Sequence, residues 1–174
     1  MKHTPSLPPV LGFAAWSGTG KTTLLTQLLP LLRQAGLRVG VIKHAHHDFE
    51  IDTPGKDSYA LRKAGAEHLL IASDQRWALL HDYPETREPR LESLLSILPR
   101  DQLDLVLVEG FRHLPFPRIE LHRAATGQPL LFPGDPHIIA VASDVPLDTT
   151  LPVLDLGSPQ QVAAFIIARI STGA

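Results

Sequence analysis

The chain has 174 residues, 44% of them hydrophobic and 20% charged, a balance that suits one globular domain spanning 1–174. A net charge of -2 offers no global basic field for nucleic acid, and the lack of cysteine excludes disulfides, thiolate catalysis and Cys-ligated metal centres. The apolar runs are too short to cross a bilayer and MKHTPSLPPV lacks a signal-peptide core, so a cytoplasmic protein with neither membrane nor nucleic-acid partner is expected.

VLGFAA (Val10–Ala15) predicts a buried strand. Leu24, Leu25, Leu28, Leu29 and Leu32 then recur at helical spacing within Thr22–Ala35, and Gly36 is placed as a stop. Pro30 falls inside this pattern and is expected to kink the helix or end it early. RVGVIKH (Arg38–His44) reads as the next strand, followed by a polar loop to Lys56. DSYALRKAG predicts a helix capped by Asp57 or Ser58 and closed by Gly65. HLLIAS and RWALLH flank Asp74-Gln75 and predict a hairpin, although its turn has no glycine. Leu91, Leu94, Leu95 and Leu98 mark an amphipathic helix. LDLVLVEG (Leu103–Gly110), RIELHR (Arg118–Arg123), HIIAVAS (His137–Ser143) and PVLDL (Pro152–Leu156) read as strands, and Gln160–Ile170 as a closing helix. Strands alternating with helices predict an α/β fold. Its sheet should be mostly parallel, with helices on both faces and the antiparallel hairpin added to it.

The stretch Ala15-Trp-Ser-Gly-Thr-Gly20-Lys21-Thr22 follows a strand and opens a helix. It matches a P-loop with Ala15 in place of the usual first glycine, and so predicts a three-layer P-loop NTPase fold. Glycines let the backbone approach phosphates, so that successive N–H groups from Ser17, Gly18, Thr19, Gly20, Lys21, Thr22 and Thr23 can surround an anion. The helix N-terminus adds its positive dipole end. Lys21 supplies a cation for the β- and γ-phosphates, and Thr22 a hydroxyl for Mg2+. The bland alternative, a glycine turn that merely starts a helix, leaves the Lys-Thr pair unexplained.

A second acid is needed on the metal side. Glu109 ends the LDLVLVEG strand, where ligand crevices of parallel sheets lie, whereas Asp104 should lie at the wrong end. Glu109 is therefore the candidate for Mg2+ or a Mg-bound water, and Gly110 can offer its N–H to the γ-phosphate. An ordinary strand-end carboxylate is the alternative. The loop KHAHHDFEIDTPGKDS (Lys43–Ser58) should open onto the same crevice. Asp48 and Asp52 are candidates for a Mg-bound or attacking water. His44, His46 and His47 could ligate a transition metal, but adjacent residues of an extended chain point apart, and phosphate or pterin contacts shared with Lys43 fit better. A solvated polar loop is the third reading.

FAAWSGTGKTTLL, VIKHAHHDFEIDTPGKDSYALRKAGA, QRWALL, LDLVLVEGFRH and IAVASDVPL together resemble the MobB family, the molybdopterin-guanine dinucleotide biosynthesis protein B, from about Leu11 to Ala168. The resemblance implies a GTP-binding homodimer with slow GTP hydrolysis. It implies an adapter role beside the guanylyltransferase MobA, which joins GMP to molybdopterin. Molybdopterin is then a further candidate ligand. On the matched positions, Gly18, Gly20, Lys21 and Thr22 carry over as phosphate and Mg2+ ligands, Glu109 as the metal-side acid, and Lys43, His44, His47 and Asp48 as crevice residues. Lys21, Asp48 and Glu109 are the candidate catalytic residues, and Thr22, Asp48 and Glu109 the candidate metal ligands.

Guanine offers N1–H and N2–H2 donors to a carboxylate. Asp144, after the strand that ends at Ser143, is the candidate acceptor, and a turn or cap role is the alternative. The apolar hairpin with Trp77 either pairs with a second chain or completes the monomer's own sheet. Arg112, Arg118 and Arg123 could receive a phosphorylated ligand or an acidic partner, or could form a solvated strip of dispersed charge. Two other functions remain open: a small-molecule kinase, which would need an acceptor pocket and an arginine-bearing lid, and a metal-insertion GTPase built on the histidine loop.

Overall fold

A computed structural model describes residues 8–45 and 49–172. The chain divides into two compact units, one of Met1–His44 with Leu91–Ala174 and one of Ala45–Arg90.

The larger unit is built on a six-stranded sheet of β1 (Val10–Ala15), β2 (Val39–Lys43), β5 (Leu105–Glu109), β6 (Arg118–His122), β7 (Ile138–Ser143) and β8 (Val153–Asp155). The order is β2-β5-β1-β6-β7-β8, with every pairing parallel. Strand β1 lies between β5 and β6, so the chain changes direction across the sheet beside β1. In α/β sheets a crevice opens at such a point, beyond the carboxyl ends of the strands.

Both faces of this sheet are covered. Along β5 the side chains alternate. Leu105 and Leu107 join Leu11, Phe13, Ile119 and Leu121 in the core that receives α1 (Lys21–Gln34) and α4 (Pro159–Thr172). Val106 and Val108 join Ile42, Phe111 and Phe116 on the opposite face, with Leu91 of α3 (Leu91–Ile97). A strand covered on both sides reads as an unbroken apolar run, as LVLV does. Leu28 and Leu32 of α1 are completely buried. Each contributes about 1.5–3 kcal/mol of apolar burial, which anchors the helix whose N-terminus forms the site.

Helix α1 continues through Pro30 rather than ending there. Pro30 and Thr26 are both on the exposed side, so the Thr26 carbonyl that loses its N–H partner can be hydrated. Buried leucines on the other side hold the helix together across the break.

The smaller unit contains α2 (Asp57–Lys63) and an antiparallel pair, β3 (His68–Ala72) and β4 (Trp77–His81). The hairpin is a sheet of its own, not an extra strand of the six-stranded one. Its glycine-free turn is closed by Ser73, whose hydroxyl accepts the N–H groups of Gln75 and Arg76 at 3.2 and 3.3 Å. Neither Asp57 nor Ser58 caps α2. Lys56 occupies the cap position without a side-chain bond, because the Ser58 hydroxyl donates instead to Asp52 at 2.9 Å. Arg62 is nearly buried within this unit and pairs with Glu50 and with Asp82. Leu70 pairs with Leu79 and Ala72 with Trp77 on one face of the hairpin, and Leu70 and Trp77 are each 62% exposed.

Candidate functional site

Strand β1 delivers the chain to Trp16, and residues 17–20 turn it into α1. Gly18 and Gly20 have φ of 79 and 101°, values that side chains strain to adopt. Thr19 is buried, and its hydroxyl donates to the Trp16 carbonyl at 2.8 Å, which holds that oxygen inside the turn. Gly20 is the cap residue of α1 and no side chain caps the helix. The first turn also carries no acidic residue. The opening N–H groups and the dipole end are thus left to an anion. Ser17, Gly18, Thr22 and Thr23 are exposed around this turn.

Lys21 begins α1 and its Nζ lies 3.1 Å from Glu109 Oε1. The other oxygen of Glu109 lies 3.8 Å from Lys43 Nζ. Sheet register explains the cluster, since Glu109 stands opposite Phe13 of β1 and Lys43 of β2. Two lysines converge on one carboxylate at the carboxyl ends of three neighbouring strands. Asp104 precedes β5 at the far end, where Arg38 grips it with two side-chain bonds of 2.9 and 3.0 Å. These bonds lower the Asp104 pKa to about 2.

The chain after Glu109 is forced into an unusual path. Gly110 has φ of 101°, and a Cβ there would stand 2.5 Å from His44 Cβ. The His44 N–H donates to the Glu109 carbonyl at 2.8 Å, and its ring stacks on Phe111 with centroids 4.7 Å apart. Phe111 is buried although its φ is 53°, the one non-glycine residue with positive φ among those described. Strain of this kind persists only where packing over-determines it. Here it fixes His44 and Gly110 beside Glu109. Lys21, Lys43, His44, Glu109 and Gly110 therefore come together as expected. His46, His47 and Asp48 lie outside the described residues. Among the described residues no group of three or more His, Asp or Glu could hold a metal ion.

Asp144 follows β7. One of its oxygens accepts the Ala124 N–H at 2.8 Å, and the other lies 3.7 Å from Arg123 Nη1. Receiving two guanine donors on this carboxylate would require those contacts to be exchanged.

The three arginines do not form a solvated strip. Arg118 is buried, with Asp135 at 2.7 Å and the Leu114 carbonyl as partners, over the ring of Phe116. Arg112 lies over the Trp16 ring, 5.4 Å from its centroid. Arg123 donates from Nε to the Thr19 carbonyl at 3.0 Å. Sequence reasoning also passed over Glu120, fully buried, which accepts the N–H groups of Leu131 and Phe132 at 2.7 and 2.8 Å. An acid at an inward position of a central strand was the available signal.

The family model described as molybdopterin guanine dinucleotide synthesis protein B matches residues 10–144. The chain is 51% identical over 160 residues to the molybdopterin-guanine dinucleotide biosynthesis adapter protein of Escherichia coli (strain K12), covering 91% of each. It is 42% identical to the protein of the same name from Haemophilus influenzae, covering 91% of this chain and 87% of that one. Among solved structures, the molybdopterin-guanine biosynthesis protein B (mobB) superimposes with a TM-score of 0.72 at 27% identity, over 91% of this chain and 98% of the other.

Proposed function

Because the chain belongs to the molybdopterin guanine dinucleotide synthesis protein B (MobB) family, we propose that it is a GTP-binding adapter for attaching GMP to molybdopterin. Its partner is the guanylyltransferase MobA, and molybdopterin is the further ligand that the assembled pair handles. The observation that carries this reading is the meeting of Lys21 and Glu109, 3.1 Å apart, beside the uncapped start of α1. A phosphate placed on the N–H groups of Gly18–Thr23 would draw Lys21 away from Glu109. Lys43 lies on the same acid and adds a second cation for the phosphates.

The Thr22 hydroxyl and the Glu109 carboxylate are oxygen donors that would suit Mg2+. When bound, Mg2+ supplies neutralisation of the phosphate charge. Lys21 binds and orients the phosphates, Gly110 offers an N–H, and Glu109 places water. Hydrolysis is slow because Arg123, the arginine against the loop, is tied to Thr19 and Asp144. Nucleotide occupancy, not turnover, is then the signal passed to the partner. Two copies pair through the apolar hairpin face, where Leu70 and Trp77 are exposed. The complex works in the cytoplasm.

Reconstitution tests this reading. MobA, molybdopterin, GTP and Mg2+ should form the guanine dinucleotide faster with the wild-type chain than without it, and Lys21→Ala should give no stimulation. Equal stimulation by Lys21→Ala would contradict the role of the loop.

A further inference from the structure

A phosphate loop works only when its N–H groups point at the anion and its carbonyls point away. In this chain one loop carbonyl is held from within, since Trp16 C=O accepts the Thr19 hydroxyl. A second, that of Thr19, is held from outside by Arg123, the residue after β6. Arg123 Nη2 lies 3.4 Å from where a Cβ on Gly20 would stand, so the guanidinium is laid along the Thr19-Gly20 peptide. Asp144 orients it from the other side, with Oδ2 3.7 Å from Nη1, and is itself pinned by the Ala124 N–H. The chain thus runs from the end of β7 through Asp144 and Arg123 to the loop after β1. Its links are separated in sequence by as much as 104 residues.

We infer that Arg123 is a positioning residue for nucleotide binding, and that Asp144 acts through it instead of reading the base. Arg123 orders the Thr19 carbonyl before ligand arrives, which lowers the cost of assembling the N–H cradle. Its planar fork donates from Nε to the Thr19 carbonyl while Nη1 faces the Asp144 carboxylate, an arrangement that a lysine ammonium does not reproduce. The effect is felt at the phosphates, so it is blind to the base. This role rests on the nucleotide reading above.

Three variants of the full chain test it: Arg123→Ala, Arg123→Lys and Asp144→Asn, with Lys21→Ala as the control for nucleotide binding. Arg123→Ala should weaken GTP and ATP alike by about tenfold, the loss of one charge-assisted hydrogen bond. Arg123→Lys should fail to restore either. Asp144→Asn should weaken both nucleotides and leave their ratio unchanged. Rescue by lysine would reduce Arg123 to a point charge and overturn the positioning role. A GTP-to-ATP ratio that collapses in Asp144→Asn would overturn the assignment of Asp144 and make it a base reader. Hydrogen exchange supplies a readout without nucleotide. Backbone amides of residues 18–22 should exchange faster in Arg123→Ala, whereas unchanged exchange overturns the proposal. If the wild-type chain binds no nucleotide, the functional reading fails while hydrogen exchange still decides the role of Arg123.

Discussion

Lys21 Nζ and Glu109 Oε1 lie 3.1 Å apart, so the first residue of α1 and the last of β5 neutralise one another across the site. The pair is mostly withdrawn from water, with side-chain exposures of 22% and 16%. Glu109 thus does two opposite things. It holds Lys21 in reach of the loop, and its charge competes with phosphate for that lysine. Glu109→Gln should therefore retain GTP binding without Mg2+, while the gain in affinity on adding Mg2+ falls by about tenfold or more. Titrations with and without the metal check this, and an undiminished Mg2+ gain would remove Glu109 from the metal side.

Gly110 is required twice over, by its φ of 101° and by His44, whose Cβ would stand 2.5 Å from an added methyl. Gly110→Ala should lower stability by about 2 kcal/mol or more, from backbone strain plus overpacking against His44. A shift of the urea midpoint at unchanged slope measures it. Moving the 110 N–H should also weaken nucleotide binding.

The Arg38–Asp104 pair makes a pH-dependent contribution. Bonds from Arg38 lower the Asp104 pKa to about 2 in the folded chain. A depressed carboxylate pKa stabilises the fold fully above the unfolded value and loses that contribution as pH falls toward the folded one. Wild-type and Asp104→Asn chains should therefore differ in stability near neutral pH and converge as pH falls toward 2. The pair is solvent-accessible, so the difference is small and shrinks in salt. Denaturant midpoints across an acid series follow the convergence.

The hairpin face of Leu70, Ala72, Trp77 and Leu79 predicts the oligomeric state. Sedimentation should show a dimer for the wild type and a monomer for Leu70→Lys combined with Leu79→Lys. Lysine on an edge or exposed strand face opposes pairing with a second chain. A wild-type monomer at micromolar concentration would contradict the pairing.

Much of the fold was legible because its signals are local. The run VLGFAA became β1 with the expected bounds, and the leucines at helical spacing became the buried side of α1. The turn between them was legible because Gly18 and Gly20 suit its positive φ values and α1 starts at Lys21. Pro30 does not end the helix, since its local cost is outweighed by Leu28 and Leu32 in the core. The cap of α2 misled because Asp52, six residues before Ser58, captured the hydroxyl expected to serve the helix. Arg118, Glu120 and Arg123 were illegible for a different reason. Their partners lie at Asp135, at Leu131 and Phe132, and at Thr19, and no spacing rule connects such positions before the strands are ordered.

Calorimetric titration of the wild-type chain with GTP, GDP and ATP, each with and without Mg2+, tests the central claim most directly. Mg2+-dependent GTP binding, with ATP clearly weaker, and loss of binding in Lys21→Ala are expected. Absence of nucleotide binding, or ATP bound as tightly as GTP, would contradict it.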